Sequence, residues 1–147
     1  MAEQKRNYQK EMERLLDSNP STVPTLLLHS CCAPCSSYVL EYLSRYFEIT
    51  VLYYNPNIYP EEEYFKRVEE QKRLIDARNE EGIGYPIHFL EGVFDPREFY
   101  AAVRGLEQIP EGGERCFACC TGGKERKLFL FYDDTHDQSD EKCTEVK

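Results

Sequence analysis

Residues 25–37 read Thr-Leu-Leu-Leu-His-Ser-Cys-Cys-Ala-Pro-Cys-Ser-Ser. The apolar run over 24–30 is typical of a buried parallel strand, and the residues after it predict a tight loop that leads into a helix. The loop carries three thiols at a place where many α/β proteins bind phosphate. Backbone N–H groups at a helix N-terminus stabilise anions and lower the pKa of a thiol. This stretch therefore predicts an α/β fold with thiol chemistry at the end of its first strand.

The rest of the chain predicts alternating helices and strands. Apolar residues at helical spacing predict a helix over 37–47, with Ser36 or Ser37 as its N-cap. β-branched and aromatic residues predict a second strand over 48–54. Strand–helix–strand units with short connections form parallel sheets. The other predicted elements are a helix over 3–16, a helix from Pro60 to about Asn79–Glu81, a strand over 85–90, and a helix capped by Asp95 with Pro96 in its first turn.

Length and composition indicate one globular unit. The chain has 147 residues, of which 41% are hydrophobic and 31% charged, which is enough for a single domain with a modest core. We expect one α/β domain over 1–132. Residues 133–141 hold five acidic side chains and no apolar one, so we expect an acidic, disordered tail over 133–147. The net charge of −9 argues against a generally basic nucleic-acid-binding surface but allows a local basic cleft.

The sequence predicts a cytoplasmic protein without a membrane partner. No apolar run approaches the roughly 20 residues that a membrane-spanning helix needs, and residues 1–6 lead into a charged stretch that has no apolar signal-peptide core. Thiols stay reduced in the cytoplasm, so the seven cysteines indicate metal or redox chemistry rather than a disulfide framework.

A second group of cysteines lies within residues 115–120. A Cys-x-x-Cys pair chelates one centre across a single turn, so the two groups together predict a metal site that is suited to zinc or to an iron–sulfur cluster. The adjacent pair at 31–32 is unusual for zinc and modestly favours a cluster. The predicted ligands are Cys31, Cys32, Cys116 and Cys119, whereas Cys35 and Cys120 stay open as ligands and Cys143 has no assigned role.

Two other features allow more than one interpretation. The motif from Cys32 to Cys35 follows a strand and precedes a helix, as in a thioredoxin-type dithiol, although such an enzyme has no use for the second cysteine group. Asn55, Asn57 and Tyr59 follow the second strand at the same predicted sheet edge, where ligand sites form in open α/β sheets. An ordinary turn is an equally good interpretation of these residues, because asparagine and proline are common in turns.

Three motifs, in this order, resemble the QueH-type epoxyqueuosine reductases: Leu28–Ser36, Tyr53–Tyr64 and Gly112–Cys119. The resemblance covers about 7–119. It implies a parallel-sheet three-layer sandwich related to the adenine nucleotide α-hydrolase-like folds. It also implies reduction of epoxyqueuosine to queuosine at the wobble position of tRNA, the last step of queuosine biosynthesis. The implied partners are tRNA containing epoxyqueuosine and an unidentified electron donor. The implied cofactor is a [4Fe–4S] cluster on Cys31, Cys32, Cys116 and Cys119.

Beyond Cys119 the sequence departs from that family, whose members continue with further helices, a strand and a redox-active cysteine pair. The sequence from Cys120 onward resembles a truncated or frameshifted end, so we expect a sheet that is incomplete at its C-terminus. There are two alternatives to the reductase: a non-catalytic zinc-binding remnant of the family, and a dithiol oxidoreductase that uses Cys32 and Cys35. Within the reductase hypothesis, the candidate proton donors are Tyr53, Tyr54 and Tyr59.

Overall fold

In the part of the chain that the structure describes, three parallel strands form a sheet in the order β1-β2-β3, and helices flank it. The computed structural model describes residues 6–18 and 21–121. The predicted α/β class is confirmed, while the predicted tail over 133–147 lies outside the described residues. The elements are α1 (Tyr8–Asp17), β1 (Thr25–His29), α2 (Ala33–Leu43), β2 (Glu48–Tyr53), α3 (Glu61–Glu81), β3 (Ile87–Glu91), α4 (Pro96–Ala102) and α5 (Glu114–Cys119).

The core lies between the sheet and the helices α2 and α3. Ile49 and Val51 of the central strand are fully buried and pack with Leu40 of α2 and Ile75 of α3. A second cluster continues this core toward the carboxyl ends of the strands and consists of Tyr53, Ile58, Tyr64 and Val68. Because the core extends under the ends of the strands, it gives the loops at that edge a rigid base.

The prediction that the first strand is buried was wrong. β1 is only half-buried and its first residue is exposed, because within residues 6–18 and 21–121 it is an edge strand that pairs with β2 alone. β2 is the strand that is covered on both sides, and Leu52 on its other face is fully buried as well.

The predicted bounds of α2 were also wrong. The helix starts at Ala33 with Cys32 as its N-cap, and it ends at Leu43 rather than at residue 47. Pro34 suits the first turn, where its missing N–H has no helical partner to lose. The hydroxyl of Ser36 does not cap the helix but donates to the carbonyl of Cys32 at 3.0 Å. The early start places Cys35 in the first turn of α2.

The remaining elements lie close to their predicted positions. α3 ends at Glu81 and is capped by Gly82, whose φ of 62° is left-handed, and Asp95 caps α4 by accepting from the Arg97 N–H at 3.0 Å. β3 runs one residue beyond its predicted end. Among the described helices, none combines the length and apolar character needed to cross a membrane.

Candidate metal centre

Three thiols meet at the carboxyl edge of the sheet, in residues 30–36, which we call the thiol loop. Cys31 and Cys32 follow β1, Cys35 lies in the first turn of α2, and the three Sγ atoms lie within 4.8 Å of one another. The Sγ atoms of Cys31 and Cys32 are 3.9 Å apart. Cys31 and Cys35 are exposed and Cys32 is half-buried. Thiols this close and this accessible are suited to holding a metal centre.

Hydrogen bonds from three places hold the backbone of the thiol loop. The Asn55 side-chain amide donates to the Ser30 carbonyl at 2.8 Å. The Tyr53 hydroxyl donates to the next carbonyl, that of Cys31, at 3.0 Å. The Cys32 carbonyl accepts from the Ser36 hydroxyl at 3.0 Å. Three consecutive peptide groups are therefore fixed by β2, by the loop after β2 and by α2.

The thiols of Cys32 and Cys35 differ in acidity. Burial acts to raise the pKa of Cys32, but the Cys35 N–H, the thiols of Cys35 and Cys31, and the charge of Arg67 together lower it. The pKa of Cys35 is raised to about 11 because its thiol is hydrogen-bonded to Cys32 and lies beside the sulfur of Cys31. Cys32 therefore ionises first and is the better ligand or nucleophile of the two.

The second cysteine pair lies on α5, where Cys119 is buried and Cys116 is half-buried. The Gly112 N–H donates to Cys116 Sγ at 3.1 Å, which stabilises negative charge on that sulfur. Both cysteines border a cavity of about 460 Å³. The cavity is lined by Asn57, Phe99, Glu111, Arg115, Cys116, Cys119 and Cys120.

The structure thus presents the predicted ligands as two groups. Within the described residues, the thiols that lie within 4.8 Å of one another are Cys31, Cys32 and Cys35, so Cys35 joins the first group. The loop after β2 connects the two groups, since Asn55 binds the thiol loop and Asn57 lines the α5 cavity. A multi-iron cluster spreads its thiolates over separate irons, whereas a single ion draws them to one point. The four-cysteine ligand set stays a prediction.

The three tyrosines proposed as proton donors differ in their surroundings. Tyr53 and Tyr54 are buried, and their hydroxyls donate to the Cys31 carbonyl and to Glu98, respectively. Burial raises the pKa of Tyr53 to about 12. Tyr59 is 82% exposed. Tyr53 therefore positions the thiol loop, and Tyr59 presents its phenol to solvent.

Sequence reasoning missed Gln71 of α3. Its side chain is fully buried and accepts hydrogen bonds from the hydroxyls of Ser30 and Ser36 beneath the thiol loop. A local signal was available, since Gln71 follows Val68 by three residues and precedes Ile75 by four and therefore lies on the same face of the helix.

The fold and the thiols define a cysteine-rich α/β protein with a candidate metal centre at the carboxyl edge of its sheet. A family model described as "Epoxyqueuosine reductase QueH" matches residues 26–124. The chain belongs to the epoxyqueuosine reductase QueH family.

Curated relatives support this assignment. The chain is 42% identical over 118 residues to the epoxyqueuosine reductase QueH of Streptococcus pyogenes serotype M1, covering 79% of this chain and 46% of the relative. It is 39% identical over 123 residues to the epoxyqueuosine reductase QueH of Staphylococcus epidermidis, a match that covers 81% of this chain and 51% of the relative. It is 36% identical over 115 residues to the epoxyqueuosine reductase QueH of Acinetobacter baylyi, a match that covers 78% of this chain and 50% of the relative. The chain spans about half the length of these relatives.

Proposed function

We propose that this chain acts in the reduction of epoxyqueuosine to queuosine at the wobble position of tRNA, in the cytoplasm. The observation that carries the proposal is the group of three thiols within 4.8 Å at the carboxyl edge of the sheet, in a chain of the QueH family. The same edge carries the loop after β2, whose Asn57 lines a cavity of about 460 Å³. That volume is within the range of small-ligand pockets.

The proposed cofactor is a [4Fe–4S] cluster held by Cys31, Cys32, Cys116 and Cys119, with Cys35 as a further candidate ligand. The donor set fits such a group because it is made of thiols alone. The lowered pKa of Cys32 and the N–H that Gly112 directs at Cys116 Sγ both favour the thiolate form that ligation requires. When bound, the cluster supplies electrons one at a time.

The overall reaction removes the epoxide oxygen as water, which takes two electrons from an external one-electron reductant and two protons. The wobble nucleotide belongs to a loop whose bases can be unstacked, and proteins hold such bases by stacking on aromatic side chains. Tyr59 and Phe117 are 82% and 72% exposed and offer such surfaces. Arg115 on the cavity wall supplies positive charge for a phosphate or for the leaving oxygen, and Tyr59 supplies an accessible phenolic proton.

Anaerobic purification and reconstitution, with iron, sulfide and zinc counted per chain, tests the cofactor. We expect about four irons and four sulfides, with an electron paramagnetic resonance signal after reduction. Cys119→Ser should lose the cluster. The matched control Cys143→Ser removes a thiol outside the proposed ligand set and should keep it.

Turnover is then measured on tRNA that contains epoxyqueuosine, by mass spectrometry of the released nucleosides. Conversion to queuosine by the loaded protein, and none by Cys119→Ser, is the expected result. One zinc and no iron after reconstitution would contradict the reductase proposal and support a zinc-binding remnant. Disulfide reduction that survives Cys119→Ser but disappears in Cys35→Ser would instead support a dithiol enzyme.

A further inference from the structure

A buried polar cluster lies beneath the thiol loop and joins α3 to both ends of that loop. Gln71 is 0% exposed, Ser30 is 3% exposed and Ser36 is 6% exposed. The Ser30 hydroxyl donates to Gln71 Oε1 at 2.8 Å, and the Ser36 hydroxyl donates to the same oxygen at 3.1 Å. One carboxamide oxygen therefore binds the residue that precedes the cysteines and the residue that follows them.

The stability of α3 does not explain a glutamine at this position. The other buried residues of the helix, Tyr64, Val68 and Ile75, pack in the core, and an apolar residue at 71 would extend that packing. Gln71 Nε2 is buried and has no hydrogen-bond partner within the described residues. An unsatisfied buried donor costs free energy that an apolar side chain of similar shape would not incur. The glutamine therefore carries a destabilising feature in a place where the fold does not require it.

The contacts of Gln71 indicate what offsets this cost. The Ser36 hydroxyl, which has one proton to donate, lies within hydrogen-bond distance of both Gln71 Oε1 and the Cys32 carbonyl, so the glutamine adjoins the peptide that carries the cysteines. Ser30, at the other end, is held by Asn55 as well. Gln71 therefore contacts a serine at each end of the segment that carries the three sulfurs.

We propose that Gln71 is a positioning residue that sets the geometry of Cys31, Cys32 and Cys35 for metal binding. Residues that orient metal ligands from behind typically change metal affinity by 10–100-fold when they are replaced. The role of Gln71 in the iron–sulfur site rests on the proposed function, whereas its effect on the thiols of the metal-free protein does not.

The test is a titration of the reduced, metal-free protein with Co²⁺ alone, followed by the thiolate-to-cobalt absorption band. Gln71→Leu should weaken Co²⁺ binding by about tenfold or more. Ile75→Val is the matched control, because it alters the same buried helix face one turn away without touching the thiol loop. It should lower stability and leave the affinity unchanged.

A second variant tests the same contacts in case Gln71→Leu does not fold. Ser30→Ala removes one of the two hydroxyl contacts and should weaken Co²⁺ binding in the wild-type background, but have little further effect in a Gln71→Leu background. Wild-type affinity in Gln71→Leu or Ser30→Ala, or equal loss in Ile75→Val, would overturn the proposal. If Co²⁺ binding depends on Gln71 but no iron–sulfur cluster assembles, the proposed function fails while the positioning role stands.

Discussion

Cys32 and Cys35 lie within one turn of helix and yet differ in acidity. Cys32 is the N-cap of α2 and its sulfur is surrounded by donors, whereas Cys35 faces sulfurs that oppose a second negative charge. Exposure has the opposite order, since Cys35 is exposed and Cys32 is half-buried. Acidity and accessibility therefore make opposing predictions about which thiol reacts first.

We expect acidity to decide that order. In metal-free protein near neutral pH, iodoacetamide should alkylate Cys32 before Cys35, because the thiolate is the nucleophile and a Cys35 pKa of about 11 keeps that thiol protonated. The initial rate at Cys35, measured before Cys32 has reacted, should rise steeply only in alkaline buffer, because its raised pKa depends on the neighbouring Cys32 and Cys31 sulfurs. Mass spectrometry of the peptides over time measures both rates. Alkylation of Cys35 first would mean that exposure outweighs acidity.

Tyr53 allows a second prediction for a single side chain. Tyr53→Phe removes the hydroxyl that binds the Cys31 carbonyl and should cost about 1 kcal/mol at neutral pH, the net value of one hydrogen bond. The raised pKa, about 12, means that the folded state favours the neutral phenol. This contribution is complete below the ordinary tyrosine pKa of about 10 and is lost as the pH rises through the folded value.

Denaturant unfolding at several pH values measures this effect. The variant, less stable than wild type at neutral pH, should lose less stability than wild type above about pH 10. Tyr59→Phe is the control, since that side chain is 82% exposed, and it should match wild type at neutral pH. A pH dependence of Tyr53→Phe identical to that of wild type would show that the Tyr53 phenol ionises as it does in the unfolded chain.

Helix boundaries that depend on local sequence signals were predictable, whereas boundaries that depend on contacts with other elements were not. Asp95 before a proline and Gly82 after a charged helix act on their own backbone, and both occupy the expected cap positions. The start of α2 was misplaced because Ser36, which is typical of an N-cap, hydrogen-bonds instead to Gln71 from another helix. β1 was predicted to be buried because an apolar run does not reveal the order of strands in a sheet.

The turn between α3 and β3 yields a prediction about two glycines. Gly82 needs its left-handed φ of 62°, but a Cβ there would meet nothing within 4 Å. A Cβ at Gly84 would lie 2.7 Å from the Ser44 carbonyl oxygen, which accepts the Tyr85 N–H at 2.7 Å. Gly82→Ala should therefore cost about 1 kcal/mol, and Gly84→Ala should cost more, about 2–3 kcal/mol.

Chemical denaturation of the two variants provides the comparison. Gly82→Asn is the control for backbone strain, because asparagine tolerates the left-handed region, and it should be less damaging than Gly82→Ala. If Gly84→Ala were the milder change, the chain between α3 and β3 would have to move away from α2 without loss.

For the molecule as a whole, the fold brings together residues that are far apart in the chain. The sequence predicted the parallel sheet, the edge at which its loops meet and the two cysteine groups, because these follow from strand–helix alternation and from motif spacing. It left Cys35 open as a ligand, and it did not predict that Gln71 binds the serines beside the cysteines. The spacing of Gln71 places it on the buried face of α3, but its hydrogen bonds to two serines of the thiol loop depend on how α3 packs against that loop.

The arrangement of the two cysteine groups leads to a prediction about metal loading. If Cys116 and Cys119 ligate the same cluster as Cys31 and Cys32, loading must join α5 to the thiol loop. Hydrogen exchange should then slow in both segments, because binding to the folded state stabilises every element that it ties together. If the centre uses only Cys31, Cys32 and Cys35, exchange should slow in the thiol loop and stay unchanged in α5.

Hydrogen exchange with mass spectrometry, on loaded and metal-free protein, distinguishes the two ligand sets. With the four-cysteine set, Cys119→Ser should abolish the added protection of α5, whereas Cys35→Ser should preserve it. Protection that is confined to the thiol loop, is lost in Cys35→Ser and is kept in Cys119→Ser would assign the centre to that loop alone. In that case, the cavity beside α5, with Asn57 and Arg115 in its wall, would remain as a substrate pocket whose cysteines take no part in holding the metal.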